Sequence, residues 1–251
     1  MDQQVWDRAA PQYDEEIFDT FANDRHKVLQ KALDRLIAPS HTVCDFGCGV
    51  GRTVPFLARR AQRVIATDFS LTSLEVAAEN LPQLKNVQWL HQDLAEKNRA
   101  FCRADFGLLM QVLIMPDTRI RQGILETVHR NLRKGASLVA VVPSLEVTLL
   151  TYQRIGQWYL RDGSSAREAI SHMQDSAREE IVSLVEGIVN ISDTPTKHYL
   201  REEALMLFRE SGFRVLELEK IEYAWDADFE DAPRWMQDPY PWDWLIVARK
   251  A

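Results

Sequence analysis

The sequence is poor in cysteine and has no long apolar run. It contains three cysteines, Cys44, Cys48 and Cys102, which are too few and too oddly numbered for a disulfide framework. No second cysteine or histidine pair follows at the spacing of metal ligands, so no metal site is predicted. No run of about 18 apolar residues occurs, and the first residues lack the layout of a signal peptide. We therefore expect a cytoplasmic protein without a membrane partner.

The sequence also lacks an excess of basic residues. Lys and Arg number 30 against 37 Asp and Glu, which gives a net charge of −7. A surface of this charge repels phosphate backbones, so no nucleic acid is expected as a partner. Hydrophobic residues make up 46% of the 251 residues, enough for a sizeable core. No repeat or low-complexity tract divides the chain, and one domain over residues 1–251 is predicted.

Short β-rich apolar segments alternate with amphipathic helical segments from residue 41 to residue 143. This alternation is typical of parallel βαβ units. The predicted strands cover residues 42–46, 63–68, 87–90, 106–112 and 137–142, and the predicted helices between them cover residues 52–60, 72–80 and 118–132.

The pattern changes after Pro143, where two helices are predicted in place of another strand. They form an insertion after the fifth strand, and the alternation then resumes with one helix, closed by Gly212, and two strands. A further helical piece near the N-terminus, broken at Pro11, is predicted to pack outside the sheet. In chain order these elements cover residues 6–21, 145–160, 165–189, 201–211, 213–221 and 244–248.

A glycine-rich loop joins the first predicted strand to the next helix. It reads Asp45-Phe46-Gly47-Cys48-Gly49-Val50-Gly51, and its alternate glycines let the backbone turn sharply and approach a ligand closely. Asp68 ends the second strand, where an acidic side chain is placed to accept both hydrogen bonds of a ribose diol. The spacing differs from the dinucleotide pattern G-x-G-x-x-G, and Asp45 would repel a pyrophosphate but suits an ammonium group.

With this acidic-x-G-x-G-x-G loop the sequence resembles the class I S-adenosylmethionine-dependent methyltransferases. Similarity to that family extends to the opening Trp6-Asp7-Arg8-Ala9-Ala10-Pro11-Gln12-Tyr13-Asp14 and to residues 104–113, 132–136 and 199–213. The resemblance implies an α/β, Rossmann-like fold with a seven-strand, mostly parallel sheet, an antiparallel last strand and helices on both faces. It also implies S-adenosyl-L-methionine as the cofactor.

The resemblance assigns cofactor contacts residue by residue. The family's acid after the second strand holds the ribose and corresponds to Asp68, followed by Phe69 and Ser70. The acid after the third strand contacts the adenine and corresponds to Asp93, followed by Leu94; an Asp at this junction is also a common helix cap. The remaining expected contacts are Asp45, Gly47, Gly49 and Gly51 in the loop, Tyr13 near the methionine end of the cofactor, and Gln111, which either faces the cofactor or caps the fourth strand.

The implied fold divides the chain into four parts. Residues 1–38 form an N-terminal helical cap, 41–143 the cofactor-binding core, 144–197 a helical lid insertion and 198–251 a C-terminal helix and strand pair. Ligands of open parallel sheets bind outside the carboxyl ends of the strands. Because the insertion and the connection between the last two strands both start at that edge, we expect them to close over the cofactor with the N-terminal helix.

One departure from the family concerns the catalytic base. Many relatives carry a histidine shortly after the fourth strand, but this sequence reads Val112-Leu113-Ile114-Met115 there. If the acceptor is a hydroxyl, the base must be His198 at the end of the insertion, Tyr199, or a carboxylate from the connection between the last two strands. An amine needs no strong base, so the missing histidine favours N-methylation of a small-molecule acceptor. O- or C-methylation, aminopropyl transfer on the same fold and a non-catalytic cofactor-binding protein are the alternatives.

Residues 222–243 combine aromatic rings with most of the negative charge. The segment holds seven acidic residues and one basic residue, which is −6 of the total −7. Aromatic faces with carboxylates between them attract cationic amines. Trp225, Asp226 and Asp228 are therefore candidate substrate-binding residues. The alternative is an acidic surface loop whose rings pack back on the sheet.

Overall fold

The apolar segments of the sequence form ten strands in the part of the chain that the computed structural model describes, namely residues 6–8, 10–13, 17–96 and 100–251. Seven strands make a large sheet and three make a small one. In chain order they are β1 (Thr42–Phe46), β2 (Arg63–Asp68), β3 (Val87–His91), β4 (Ala104–Met110), β5 (Leu132–Pro143), β6 (Ile181–Ser183), β7 (Ile188–Ile191), β8 (Thr194–Lys197), β9 (Phe213–Glu222) and β10 (Trp242–Lys250).

The large sheet has the order β3-β2-β1-β4-β5-β10-β9. Neighbours among β1 to β5 pair in parallel, whereas β10 pairs antiparallel with both β5 and β9. Only the last strand therefore runs against the others, as the resemblance implied, and the predicted fold class is confirmed. The carboxyl ends of the parallel strands share one edge, where Asp243 at the start of β10 lies opposite Pro143 and Ile221.

Helices cover both faces of the large sheet because successive strand residues point to opposite sides. Val139 packs in one apolar layer with Leu29, while Leu138 packs in the other with Leu125 and Phe208. In the described residues no helix combines the length and apolar character needed to cross a membrane. The helices are α1 (Thr20–Asn23), α2 (Val28–Leu36), α3 (Val54–Ala58), α4 (Leu71–Asn80), α5 (Thr118–Asn131), α6 (Leu145–Arg161), α7 (Ala166–Glu180) and α8 (Arg201–Glu210).

The insertion after β5 is partly β-structure, which corrects the prediction of two helices. Helix α6 matches its predicted range, but α7 ends at Glu180, and residues up to 197 form the antiparallel sheet β6-β7-β8. The segment Ile188–Ile191 is rich in β-branched residues, which suit a strand. Ser192 and Asp193 have φ values of 47° and 60°, the left-handed pair of a two-residue hairpin turn.

The N-terminal piece is not one helix with a single break. Residues 6–8 are helical, Ala10–Gln12 form a 3₁₀ turn that contains Pro11, and the next helix is the four-residue α1. Ala9 and Asp14, which belong to the family-like opening stretch, lie outside the described residues.

Candidate functional site

The loop after β1 is held in a sharp turn by hydrogen bonds to the neighbouring strand β2. The backbone N–H groups of Gly47 and Cys48 both donate to the carbonyl of Thr67, at 2.8 and 2.9 Å. Gly47 has φ +79°, and a Cβ there would lie 2.4 Å from a methyl group of Val112. A glycine is therefore required by backbone conformation and by space.

Asp68 ties the glycine loop to the end of β2. Its Oδ2 accepts a hydrogen bond from the N–H of Gly49 at 2.8 Å, and its Oδ1 accepts one from the N–H of Ser70 at 2.9 Å. Burial raises the pKa of this carboxyl, and the hydrogen bonds from these two N–H groups partly offset that increase because they stabilise the charged form. Asp68 thus fixes the loop in addition to lining the cavity described below.

Asp45 is a buried carboxyl at the end of β1. It is 2% exposed and accepts a hydrogen bond from the hydroxyl of Thr53 at 2.8 Å. Burial raises its pKa to about 7. The described residues place no cationic side chain in an ion pair with it. A cationic ligand group beside Asp45 would supply the missing countercharge.

Replacing Asp45 with asparagine is expected to stabilise the ligand-free protein at pH 8 by on the order of 2 to 4 kcal/mol. Because the folded-state pKa lies above the ordinary value of 3.8, the carboxyl favours folding at low pH, and this contribution is lost as the pH rises to about 7. Urea unfolding at pH 5 and pH 8 measures the difference. Glu210→Gln, an exposed change, serves as the control. An increase in the free energy of unfolding of Asp45→Asn that is equal at pH 5 and pH 8 would contradict this explanation.

Arg52, directly after the last loop glycine, holds the N-terminal segment against the loop. Its guanidinium donates to the carbonyls of Ile17 and Tyr13, at 2.8 and 2.9 Å, and lies 4.8 Å from the centre of the Tyr13 ring. The Tyr13 hydroxyl in turn lies 2.8 Å from the position that a Cβ on Gly49 would occupy. The N-terminal segment therefore packs on the loop at van der Waals distance.

These elements enclose a cavity at the carboxyl edge of the sheet. Its lining follows the strand order, with Asp93 and Leu94 after β3, Asp68 and Phe69 at β2, the loop after β1 and Gln111 after β4. Described residues of the N-terminal segment complete the wall: Trp6, Tyr13, Ile17, Phe18, Asp19 and Thr20.

Most of the predicted cofactor residues come together in this cavity, and two have other positions. Gly51 lies behind the loop, where a Cβ would meet Trp89 at 3.1 Å. Ser70 caps α4 through the N–H of Ser73 and donates to Asp7 at 2.6 Å. Asp93 lines the cavity and also accepts from the N–H of Ala95 at 2.8 Å, a local turn contact. The described residues directly after it form no helix, so the structure does not support the helix-cap alternative.

The two predicted catalytic residues do not line the cavity. The hydroxyl of Tyr199 donates to the carbonyl of Leu113 at 2.6 Å, and its side chain is 1% exposed. Nδ1 of His198 pairs with the hydroxyl of Thr148 at 3.0 Å, and burial lowers the pKa of this imidazole to about 4. Both side chains pack between the insertion and the sheet, so this geometry does not bring a base to the cavity from residues 198–199.

The predicted substrate residues Trp225, Asp226 and Asp228 also lie away from the cavity lining. The indole N–H of Trp225 is bonded to the carbonyls of Gln237 and Pro239 at 3.2 and 3.1 Å. Asp226 and Asp228 are exposed, and Asp228 accepts a hydrogen bond from Thr151 of α6 at 3.2 Å. Residues 222–243 thus form an acidic surface loop with inward-packed rings. The described part of the insertion likewise contributes nothing to the cavity lining. Of the three segments that were predicted to close over the cofactor, only the N-terminal one has described residues that line the cavity.

The sequence analysis missed several residues of the site. Arg52 and Thr53 follow the glycine loop directly, so their position next to a ligand-binding turn was the available signal. Asp243 was counted only among the acids of residues 222–243, yet its Oδ2 accepts from the Nε2 of Gln111 at 2.5 Å and from the hydroxyl of Tyr223 at 2.7 Å. No local pattern marks this contact, because it joins residues 132 positions apart.

Comparison with known proteins agrees with this geometry. Residues 43–135 match the model of a methyltransferase domain family. This match covers about a third of the chain and identifies that part as similar to a methyltransferase domain. The matched residues contain the glycine loop, Asp68, Asp93 and Gln111, which are the parts of the cavity that come from β1 to β4.

Two curated relatives cover only parts of the chain. The 23S rRNA (uracil(1939)-C(5))-methyltransferase of Alcanivorax borkumensis is 34% identical over 134 residues, which are 51% of this chain and 28% of that protein. An uncharacterized methyltransferase of Synechocystis is 31% identical over 107 residues, 42% of this chain and 48% of that protein. The chain thus spans half or less of the length of these relatives.

Solved structures share the fold over nearly the whole chain. A methyltransferase of Methanosarcina mazei has a TM-score of 0.62 at 16% identity and covers 87% of this chain and 96% of its own. The 1,6-didemethyltoxoflavin-N1-methyltransferase of Burkholderia thailandensis has a TM-score of 0.63 at 14% identity and covers 99% of this chain and 87% of its own. At these identities the likeness concerns the fold.

The cavity fits S-adenosylmethionine, the cofactor of this family. The buried Asp45 offers a countercharge for an ammonium group, and the glycine loop leaves the space that a Cβ would fill. Asp68 keeps lone pairs free beside its two N–H donors, which suits a ribose diol. Phe69 and Leu94 add apolar surface at the β2 and β3 end, which suits an adenine ring.

Proposed function

We propose that this protein transfers a methyl group from S-adenosylmethionine to a small-molecule acceptor. The observation that carries the proposal is the buried Asp45 carboxyl, which lacks a cationic partner in the described residues. It lies on the wall of a cavity that is also lined by Asp68 and Asp93, the acids that the family resemblance assigns to ribose and adenine. When bound, S-adenosylmethionine supplies an electrophilic methyl group on a sulfonium centre. The protein then has to bind both ligands, align them and exclude water.

The enclosure by the N-terminal segment supports a small acceptor. Arg52 fastens this segment, and Phe18, Ile114 and Met115 give the cavity wall an apolar part. A nucleic acid is disfavoured by the charge of −7. We therefore propose a compact acceptor with an apolar body, in place of the cationic acceptor that the composition of residues 222–243 favoured.

The absence of a histidine from the described cavity lining supports an amine or other N–H group as the nucleophile. Asp19 already accepts from the N–H groups of Phe21 and Ala22 at 2.9 Å each, and burial raises the pKa of Tyr13 and of Cys48. A neutral amine attacks through its own lone pair and needs no base in the site.

Titration with S-adenosylhomocysteine tests the cofactor assignment. The wild-type protein is expected to bind it, and Asp45→Asn is expected to weaken binding by about 10-fold or more, the scale of a hydrogen bond to a charged group. Stronger binding of decarboxylated S-adenosylmethionine than of S-adenosylmethionine would favour aminopropyl transfer. No detectable binding of S-adenosylhomocysteine would refute the proposed function.

A screen of acceptor pools tests the transfer itself. Amines, phenols and carboxylates are incubated separately with S-adenosylmethionine, and release of S-adenosylhomocysteine is measured. Turnover confined to the amine pool is the expected result. Methylation of ribosomal RNA without turnover of any pool would refute the small-molecule acceptor. It would leave S-adenosylmethionine as the cofactor.

A further inference from the structure

Gln111 has an unusual backbone position at the end of β4. Its φ is +55°, in the left-handed region that few residues other than glycine adopt. Its N–H donates to the carbonyl of Val141 on β5 at 3.0 Å, which holds the main chain in place. Strained residues of this kind persist where the surrounding structure fixes them, and they are concentrated at functional sites.

The amide group of Gln111 is oriented by a carboxyl from the other end of the chain. Its Nε2 donates to Oδ2 of Asp243 at 2.5 Å and lies 3.4 Å from the hydroxyl oxygen of Thr20. Tyr223 donates its hydroxyl to the same Asp243 oxygen at 2.7 Å. Burial raises the pKa of Asp243 to about 7. Above that pH it is a carboxylate, which only accepts hydrogen bonds, so the NH₂ side of the amide faces it. The Oε1 side is therefore the one left for another partner.

That Oε1 atom is buried and has no hydrogen-bond partner among the described residues. A buried acceptor without a donor costs about 1 to 3 kcal/mol. Gln111 and Thr20 both line the cavity, and β4 lies on the side of β1 opposite to β2 and β3. Gln111 thus lies at the β4 side of the cavity, with β1 between it and the strands that carry the predicted ribose and adenine residues Asp68 and Asp93.

We propose that Gln111 orients the methyl acceptor by accepting a hydrogen bond from its N–H group, and that Asp243 and Tyr223 are positioning residues for Gln111. This inference rests on the proposed methyl transfer. Gln111 takes no proton; it holds one hydrogen of the nucleophile so that the lone pair on the same atom stays directed at the methyl group. The substrate class follows: amines and N–H heterocycles are accepted, whereas an ionised carboxylate offers no hydrogen to Gln111 and is repelled by Asp243 behind it.

Sinefungin tests the proposal without a known acceptor, because it carries an amine in place of the sulfonium methyl group. At a pH above the Asp243 pKa of about 7, Gln111→Met is expected to weaken sinefungin binding by about 10-fold or more. Binding of S-adenosylhomocysteine, which has no donor at that place, should change by less than about 3-fold. Gln111→Glu should instead strengthen sinefungin binding relative to S-adenosylhomocysteine, an outcome that a purely structural role does not produce.

Asp243→Asn separates positioning from direct attraction. In the wild-type background this change is expected to lower the affinity for sinefungin relative to the affinity for S-adenosylhomocysteine. In the Gln111→Met background it is expected to leave this ratio of affinities unchanged. Glu230→Gln, an exposed change in the same segment, is the control. An unchanged preference in Gln111→Met, with S-adenosylhomocysteine still bound, would overturn this inference alone. Failure of the wild-type protein to bind S-adenosylhomocysteine would overturn the proposed function as well.

Discussion

Asp68→Ala is expected to weaken the binding of S-adenosylhomocysteine by about 10- to 150-fold, or about 1.5 to 3 kcal/mol, the scale of a hydrogen bond to a charged group. The loss has two sources. The alanine cannot accept from the ribose, and it also releases the N–H of Gly49, which Asp68 holds at 2.8 Å. Isothermal titration measures the loss directly.

Asp68→Asn distinguishes the two sources. The amide keeps one oxygen, which can still accept from Gly49, but it removes the charge and one acceptor for the ribose. An intermediate loss for Asp68→Asn is therefore expected. Unchanged affinity in Asp68→Ala would refute the ribose assignment.

Gly47→Ala is expected to destabilise the protein by about 2 to 5 kcal/mol and to abolish measurable cofactor binding. The new Cβ would lie 2.4 Å from a methyl group of Val112, and the φ of +79° is itself unfavourable for alanine. Urea unfolding and titration with S-adenosylhomocysteine are the measurements.

Gly135→Ala is the matched control. Gly135 has nearly the same φ, +76°, but it lies on the surface, and a Cβ added there would meet no atom within 4 Å. Gly135→Ala should lower the free energy of unfolding by about 1 to 2 kcal/mol, which is the contribution of the unfavourable φ alone, and should leave cofactor binding intact. Equal destabilisation of the two variants would mean that the contact with Val112 is unimportant.

Local patterns predicted the parts of the molecule that local forces determine. Strands β1 and β2 have the predicted limits because each is a short apolar run bounded by turn residues. The glycine loop and Asp68 were predictable because their spacing along the chain reflects one strand-turn-helix-strand unit. The seven-strand sheet with an antiparallel last strand came from the family resemblance, since periodicity alone does not specify it.

Composition was a poor guide to residues 222–243. The rings and carboxyls are present as counted, but composition does not say which side of the segment each one faces. Arg154 of α6 donates to the carbonyls of Gln237 and Pro239 and lies 5.5 Å from the centre of the Trp225 ring, so the rings pack inward and do not form a cation site. The contact between Gln111 and Asp243 was equally inaccessible, because it depends on the pairing of β10 with β5.

The place of β10 has a consequence for synthesis and folding. It is the last strand along the chain, yet it lies between β5 and β9 and pairs with β5 over residues about 100 positions earlier. While the ribosome is still making residues 242–250, β5 has an open apolar edge, a template for association with other nascent chains. Asp243 reaches Gln111 only when this final strand docks. The glycine loop is held by β1 and β2 and does not depend on β10, whereas the contact between Gln111 and Asp243 needs β10 in its place beside β5.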